Sequence, residues 1–267
     1  MPRPSIGVFD SGVGGLTVLK ALLELVPGAD YAYFGDTARL PYGSKSVETV
    51  AKYAVGATDY LQSHGAELLV IACNTATALA FDRIQQAAQV PVVGVVEPGA
   101  ERAASSTRNK KVVVLGTDAT VSSHAYRKAL EARGVQAREK ACPLFVPLVE
   151  EGWVEHPVTE QVARIYLDEA FGDGFQAADV LVLGCTHYPL IKPLLHRMAP
   201  QHVKIVDSAE STAMVVAQKL GIKPENSAGE KPSLRFFATD SVEKFRRLGA
   251  RFLKHPIEDV QHVDLKE

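Results

Sequence analysis

Short apolar segments alternate with longer amphipathic segments along most of the chain. Several of the apolar segments are continuous runs of Val, Ile and Leu, which is typical of parallel strands buried on both faces. The amphipathic segments place apolar residues at helical spacing and often end at a glycine. This alternation predicts an α/β fold with mainly parallel sheets flanked by helices. The predicted strands span residues 5–9, 31–34, 68–72, 92–96, 111–115, 180–183, 203–206 and 234–237.

Four of the amphipathic segments carry signals for where a helix starts or stops. One of them, over 209–220, is predicted to end at Gly221. Ser46 is predicted to cap a helix that ends at Gly65. A second helix is predicted over 122–133. Asp240, with Glu243 three residues later, is predicted to form a capping box that opens the last helix.

Two segments in different halves of the chain resemble each other. The sequence LLVIACNT at 68–75 aligns with VLVLGCTH at 180–187. Each is an apolar strand followed by a small residue, a cysteine and polar residues that open a helix. Upstream of each, another strand ends in hydroxyl and acidic residues, near Asp10 and Thr117. The two halves are therefore predicted to be variations on one strand–helix unit.

Composition narrows the class of protein. The chain has 267 residues, of which 46% are hydrophobic and 22% charged. Such a chain folds and, at ~150 residues per domain, is long enough for about two domains. Its net charge of −2 gives no electrostatic reason to expect a nucleic acid or an anionic lipid as partner. Because no signal peptide is evident and no apolar run approaches the ~20 residues of a membrane span, we expect a cytoplasmic protein with no membrane partner.

The three cysteines need individual explanations, because an odd and sparse set cannot form a disulfide framework. Cys73 and Cys185 each follow a predicted strand, at the carboxyl end where ligands bind in open α/β sheets. A helix N-terminus at such a position is expected to lower the pKa of a nearby thiol. His187 lies two residues after Cys185 and is a candidate to share its proton. Cys142 lacks this context and is expected to be a structural core residue.

Other kinds of site fit the sequence less well. The glycine-rich run that begins at Gly12 matches neither a dinucleotide-binding fingerprint nor a phosphate-binding loop, so it predicts a tight turn with close backbone approach. No Cys-x-x-Cys or His-x-x-x-His pair occurs, so no metal site is expected.

Asp10 has two interpretations, as a turn-forming residue or as a group that tunes the Cys73 proton. Glu150 and Glu151 are equal candidates for a supporting acid.

Four segments carry a resemblance to bacterial glutamate racemases. They are IGVFDSGVGGLT at 6–17, GDT at 35–37 with PYG at 41–43, ACNTA at 72–76, and LGCTHYPL at 183–190. They occur in the order typical of that family, and the similarity extends over at least residues 6–208. Within the wider aspartate/glutamate racemase group, the first and last segments are specific to the glutamate enzymes.

The resemblance implies a cofactor-independent enzyme that interconverts L- and D-glutamate for peptidoglycan precursor synthesis. It also implies two similar α/β domains, related by a pseudo-twofold axis across an active-site cleft. The first domain would be discontinuous, formed by residues 1–97 and 208–267, and the second would span 98–207. The alternative is a related racemase or isomerase acting on aspartate or another acidic substrate, since binding discriminates one methylene by only ~1–3 kcal/mol. An amino-acid-binding protein or a thiol hydrolase would not need two equivalent cysteines.

The resemblance further assigns the residues of the site. Cys73 and Cys185 would transfer the protons, supported by Asp10, Glu150 and His187. The expected substrate contacts are Asp10, Ser11, Tyr42, Gly43, Asn74, Thr75, Thr117, Thr186 and His187. No metal and no cofactor are expected, glutamate is the expected small-molecule partner, and a homodimer is the default assembly.

Overall fold

The structure, a computed structural model, describes residues 3–222 and 231–265. The strands in these ranges are β1 (Ser5–Asp10), β2 (Asp30–Gly35), β3 (Leu68–Ile71), β4 (Val92–Gly94), β5 (Lys111–Gly116), β6 (Gln136–Ala141), β7 (Val180–Gly184), β8 (Lys204–Asp207), β9 (Leu234–Ala238) and β10 (Gln261–His262). The α-helices in the same ranges are α1 (Leu16–Leu25), α2 (Val47–Ser63), α3 (Asn74–Ala87), α4 (Val96–Ser106), α5 (Asp118–Ser123), α6 (Ala125–Glu131), α7 (Phe145–Glu150), α8 (Pro157–Ala170), α9 (Lys192–Met198), α10 (Ser208–Leu220) and α11 (Val242–Leu253). None of these helices is long and apolar enough to cross a membrane.

Two sheets, parallel throughout, carry the fold. Sheet A has the strand order β10-β9-β2-β1-β3-β4, and sheet B has the order β6-β5-β7-β8. Every pair of neighbouring strands in both sheets is parallel. The order β2-β1-β3-β4 in sheet A recurs as β6-β5-β7-β8 in sheet B. The predicted α/β fold is confirmed, and the repeat seen around the two cysteines extends to the topology of the sheets.

All eight predicted strands are present, with ends that differ by at most two residues. The largest difference is at β4, which ends at Gly94 because α4 begins at Val96. The prediction missed β6 and β10. β6 has the sequence QAREKA, forms an edge of sheet B and has no fully buried residue. An edge strand without a buried face lacks the apolar pattern on which the prediction depends.

The helix signals were right at two positions and wrong at two. α10 ends before Gly221 as predicted, because the φ of Gly221 is +63° and left-handed. Ser46 caps α2 as predicted, because its Oγ accepts a hydrogen bond from the Thr49 backbone N–H at 3.3 Å. The single helix predicted over 122–133 is two helices, separated at His124, whose φ of +56° is left-handed. The predicted capping box does not form either. Asp240 instead accepts a hydrogen bond from the backbone N–H of Ser241, and the residue before α11 is left-handed.

The two sheets share apolar packing. Strand residues Val8 in sheet A and Leu183 in sheet B belong to one continuous cluster of buried side chains. The strands of sheet A come from both ends of the described chain, whereas those of sheet B are contiguous. The chain passes between the sheets at α4 and α10, and these two helices pack against each other. The division into domains 1–97 with 208–267, and 98–207, stays a prediction.

Candidate active site

One cavity of about 470 Å³ collects the residues that follow the central strands of both sheets. Ser11 follows β1 and Cys73 follows β3, while Thr117 and Cys185 follow β5 and β7. The predicted site residues that line this cavity are Ser11, Tyr42, Gly43, Cys73, Asn74, Thr75, Thr117, Glu150, Cys185, Thr186 and His187. Asp10, the remaining predicted residue, is fully buried at the end of β1.

Cys73 is the N-cap of α3. Its Sγ lies 3.4 Å from the backbone N of Ala76, which donates to it, and 3.5 Å from Oγ of Ser11. Burial and the charge of Asp10 raise the pKa of Cys73 to about 12. The expectation that the helix N-terminus lowers this pKa is wrong, because desolvation outweighs the stabilisation by the N–H group. Cys73 is therefore a thiol at neutral pH.

Asp10 fits both interpretations of its position. Its Oδ2 accepts a hydrogen bond from the backbone N–H of Gly12 at 2.9 Å, which is the turn that one interpretation predicted. The charge of Asp10 also raises the pKa of Cys73, which agrees with the other interpretation, that Asp10 tunes the Cys73 proton. Burial raises the pKa of Asp10, while the charge of His187 opposes that shift. Oδ1 has no hydrogen-bond partner among the residues that the structure describes.

Cys185 has a different environment from Cys73. Its Sγ lies 3.9 Å from Nδ1 of His187, whose Nε2 lies 3.3 Å from Oε1 of Glu150. Burial by itself lowers the pKa of His187, but its contacts with Cys185 and Glu150 prevail and raise it to about 10. His187 is therefore a cation at neutral pH, beside the sulfur. The positive charge of His187 therefore lies beside Cys185, whereas the carboxyl group of Asp10 acts on Cys73.

The structure distinguishes Glu150 from Glu151. Glu150 contacts His187 and lines the cavity, whereas Glu151 is exposed and faces a separate surface groove. The hydrogen bond with His187, together with the charge of Lys244, holds the pKa of Glu150 below its usual value. Nζ of Lys244 lies 3.3 Å from Oε2 of Glu150. Glu150 is therefore ionised, and it lies between the buried imidazolium of His187 and the half-exposed ammonium of Lys244.

Hydroxyl and amide groups lie between the two cysteine-bearing segments. Oγ1 of Thr75 is 3.0 Å from Oγ1 of Thr117 and 3.3 Å from that of Thr120, so a hydroxyl cluster joins α3, which packs on sheet A, to the start of α5, which packs on sheet B. Asn74 is 2% exposed, and its Nδ2 has no hydrogen-bond partner within the described part of the chain. These groups are hydrogen-bond donors that a carboxylate can use.

The loop that carries Tyr42 and Gly43 is held by a buried carboxylate. Asp36 is fully buried and accepts hydrogen bonds from the Tyr42 hydroxyl at 2.6 Å and from Thr239 at 2.8 Å. Arg39 neutralises it with an ion pair at 2.9 Å. Asp36 lies within the GDT motif at 35–37, but this role is not predicted from the sequence.

Gly14 explains the glycine-rich run. A Cβ at this position would lie 2.5 Å from Nδ1 of His187, and closer still to Oγ1 of Thr186. The Thr17 hydroxyl is within hydrogen-bond distance of the carbonyls of both Gly14 and Thr186. The predicted tight turn with close backbone approach is confirmed, and the neighbour that comes close is the segment after Cys185.

The sequence pattern of the Asp/Glu/Hydantoin racemase family matches residues 6–216. The chain belongs to this family. The racemase is similar to the glutamate racemase of Koribacter versatilis, with 60% identity over an alignment that covers 98% of each chain. It is also similar to the glutamate racemase of Geobacter metallireducens, with 48% identity over an alignment that covers 100% of this chain and 98% of the other.

Solved structures agree with these relatives. The racemase aligns with glutamate racemase isoform RacE1 of Bacillus anthracis at a TM-score of 0.91 and 36% identity, over 99% of both chains. It aligns with the glutamate racemase of Francisella tularensis, solved in complex with D-glutamate, at a TM-score of 0.88 and 36% identity over 98% of both. An aspartate racemase of Picrophilus torridus shares the fold alone, at 19% identity, a TM-score of 0.60 and coverage of 84% of this chain and 97% of the other.

Several cavity residues were not predicted from the sequence. Lys244 lines the cavity from α11, far along the chain from every motif, and no local signal marks it. Asp118 and Ser44 line it as well, each one residue from a predicted position. In the described part of the racemase, no group of three or more His, Cys, Asp or Glu side chains is arranged to hold a metal ion.

Proposed function

We propose that this racemase interconverts L- and D-glutamate without a cofactor, by two-base proton transfer between Cys73 and Cys185. The observation that carries the proposal is that two free thiols line one cavity, each at the equivalent strand end of a repeated sheet. Inversion at the α-carbon needs a base that removes a proton from one face and an acid that delivers a proton to the other. Two thiols do both tasks, and their roles exchange with the handedness of the substrate.

The charges around the two cysteines give each an initial role. Cys73, with a pKa raised to about 12, is a thiol and serves as the proton donor. Cys185 serves as the base, and protonated His187 beside it donates a hydrogen bond to its sulfur. In the opposite direction Cys73 acts as the base, and Asp10 is the carboxyl group that interacts with it.

The polar groups of the cavity bind the substrate in this mechanism. Removing the α-proton places negative charge on the α-carboxylate, so donors aimed at that group stabilise the transition state. Nδ2 of Asn74 has no partner among the described residues, and Ser11, Thr75 and Thr186, which carry hydroxyl groups, line the same cavity. These donors hold the carboxylate in place while a proton leaves one face and another arrives at the opposite face.

Glutamate is the substrate that the relatives support over aspartate. The relatives at 60% and 48% identity are glutamate racemases, whereas the aspartate racemase with a similar fold is 19% identical. D-Glutamate produced in this way would supply peptidoglycan precursor synthesis. We place the reaction in the cytoplasm, where thiols such as those of Cys73 and Cys185 stay reduced.

Exchange of the α-proton in D₂O tests the proposal. The purified protein is incubated with each glutamate enantiomer, without added cofactor or metal, and deuterium incorporation is followed by NMR. We expect exchange and racemisation with both enantiomers. Absence of exchange with either enantiomer would refute the assignment.

Variants test the roles of the two thiols. Cys73→Ala and Cys185→Ala are each expected to abolish racemisation while glutamate still binds, and Cys142→Ala is the matched control because its thiol lies outside the cavity. Near-native turnover in both directions by either of the first two would contradict the two-base mechanism. Cys→Ser variants at 73 and 185 are expected to slow exchange unequally for the two enantiomers. Equal effects would argue against one cysteine per face.

A further inference from the structure

A buried tyrosine connects the two cysteine-bearing segments. Tyr126 lies in α6, beside sheet B, and none of its surface is exposed. Its hydroxyl donates a hydrogen bond of 2.7 Å to Oδ1 of Asn74, the residue after Cys73. This hydrogen bond joins helix α6, which packs on sheet B, to helix α3, which packs on sheet A.

The hydrogen bonds of Tyr126 determine which end of the Asn74 amide is free. A carboxamide has an oxygen that accepts and an NH₂ group that donates. The single phenol proton goes to Oδ1 of Asn74, so the Ser208 hydroxyl, which is hydrogen-bonded to the same phenol, donates to the phenol oxygen. Nδ2 of Asn74 is buried and has no partner among the residues described, although Asn74 lines the cavity. The free end of the amide is therefore its donor end.

Two glycines fix the position of the Tyr126 ring. A Cβ at Gly99 would lie 3.1 Å from its Oη, and a Cβ at Gly184 would lie 3.0 Å from its Cε2. Gly184 is the last residue of β7 and directly precedes Cys185. The ring is therefore in close contact with the strand end that carries one cysteine, while its hydroxyl binds the residue next to the other.

We propose that Tyr126 is a positioning residue that orients the Asn74 carboxamide so that its N–H groups face the substrate carboxylate. This role rests on the proposed glutamate racemisation. Without the phenol hydroxyl, the amide is free to turn its oxygen toward the carboxylate, where two acceptors repel each other. Ser208, the first residue of α10, supports the arrangement from the point where the chain returns to sheet A.

Tyr126→Phe tests the proposal because it keeps the ring and removes only the hydroxyl. We expect KM to rise about tenfold for both enantiomers, the loss typical of one hydrogen bond to a charged group. In an Asn74→Ala background, Tyr126→Phe is expected to change KM no further, because the group that it orients is gone. This coupling in a double-mutant cycle separates orientation of Asn74 from a merely structural role, which would give additive effects.

Tyr31→Phe is the matched control. Tyr31 is also buried, and its hydroxyl donates to the carbonyls of Leu22 and Val26, away from the cavity, so its loss is expected to lower stability and leave KM unchanged. If Tyr126→Phe folds poorly, Ser208→Ala carries the same test, with a smaller rise in KM that also vanishes in Asn74→Ala. A wild-type KM in folded Tyr126→Phe, or effects additive with Asn74→Ala, would overturn the proposal. Wild-type protein that does not racemise glutamate would instead refute the proposed function.

Discussion

Replacing Gly14 with alanine tests how tightly the two cysteine-bearing halves fit together. The new Cβ would lie 2.5 Å from Nδ1 of His187, whereas non-bonded carbon contacts are ordinarily ~3.5–4.0 Å. The His187 ring would therefore have to move by about 1 Å. It has little room to do so, because it is 6% exposed and packs edge to face against Phe252, with ring centres 5.2 Å apart.

Both activity and stability are expected to fall in Gly14→Ala. A displacement of about 1 Å at a catalytic group costs up to ~100-fold in rate, so we expect kcat/KM to drop by about 10- to 100-fold. Overpacking of a buried contact costs ~1–3 kcal/mol of unfolding free energy. Circular dichroism of each glutamate enantiomer measures the activity, and urea unfolding measures the stability.

Gly56→Ala is the control for this experiment. Gly56 lies inside α2, and outside its own helix backbone no atom of the described residues comes within 4 Å of a Cβ placed there. Alanine is favoured over glycine in a helix by ~0.5–1 kcal/mol, so this variant should be slightly more stable than wild type and fully active. If Gly14→Ala retains wild-type kcat/KM and stability, the tight contact between the glycine-rich turn and His187 is refuted.

Three further predictions concern charge and burial. Lys244→Met removes a cation that lowers the pKa of Glu150, so the acidic limb of the kcat/KM profile should shift to higher pH. The expected loss in stability is less than ~1 kcal/mol. The same pH shift in Arg247→Met, on the same helix, would contradict a specific effect of Lys244 on Glu150. Cys142→Ala removes a fully buried sulfur outside the cavity, so it should cost about 1 kcal/mol in stability without changing kcat/KM. A loss of activity would refute the placement of Cys142 outside the active site. The pKa of His187 is raised from 6.5 to about 10, so the stability that its protonation supplies is complete below pH 6.5 and is lost as pH rises through 10. The difference in unfolding free energy between wild type and His187→Gln should therefore shrink over that range, and a constant difference would count against the charged imidazole.

The strands and the location of the site could be predicted from the sequence for a physical reason. Parallel strands end at one edge of their sheet, so residues that directly follow apolar runs, such as Ser11 and Cys73, gather there. The repeat between the halves indicated that Thr117 and Cys185 would do the same in a second sheet. The local apolar pattern and the common direction of parallel strands are therefore enough to predict the strands and the edge of the sheet at which the site lies.

What the sequence did not reveal depends on packing between distant segments. Lys244 reaches the cavity from the last helix, and Tyr126 reaches Asn74 from a helix beside the other sheet, so no nearby residue signals either contact. The pKa of Cys73 was predicted in the wrong direction because the sequence shows the helix start but not the extent of burial or the charge of Asp10. β6 was missed because none of its residues is fully buried.

The strand order of sheet A has a consequence for how the chain folds as it is synthesised. β2 contributes a buried run from Tyr31 to Phe34, and on its outer side it pairs with β9, which comes after all of sheet B in the sequence. Until β9 leaves the ribosome, this apolar strand has an open edge that other chains can pair with. The period of greatest risk of aggregation therefore coincides with the synthesis of sheet B, and it ends only when the final strands arrive.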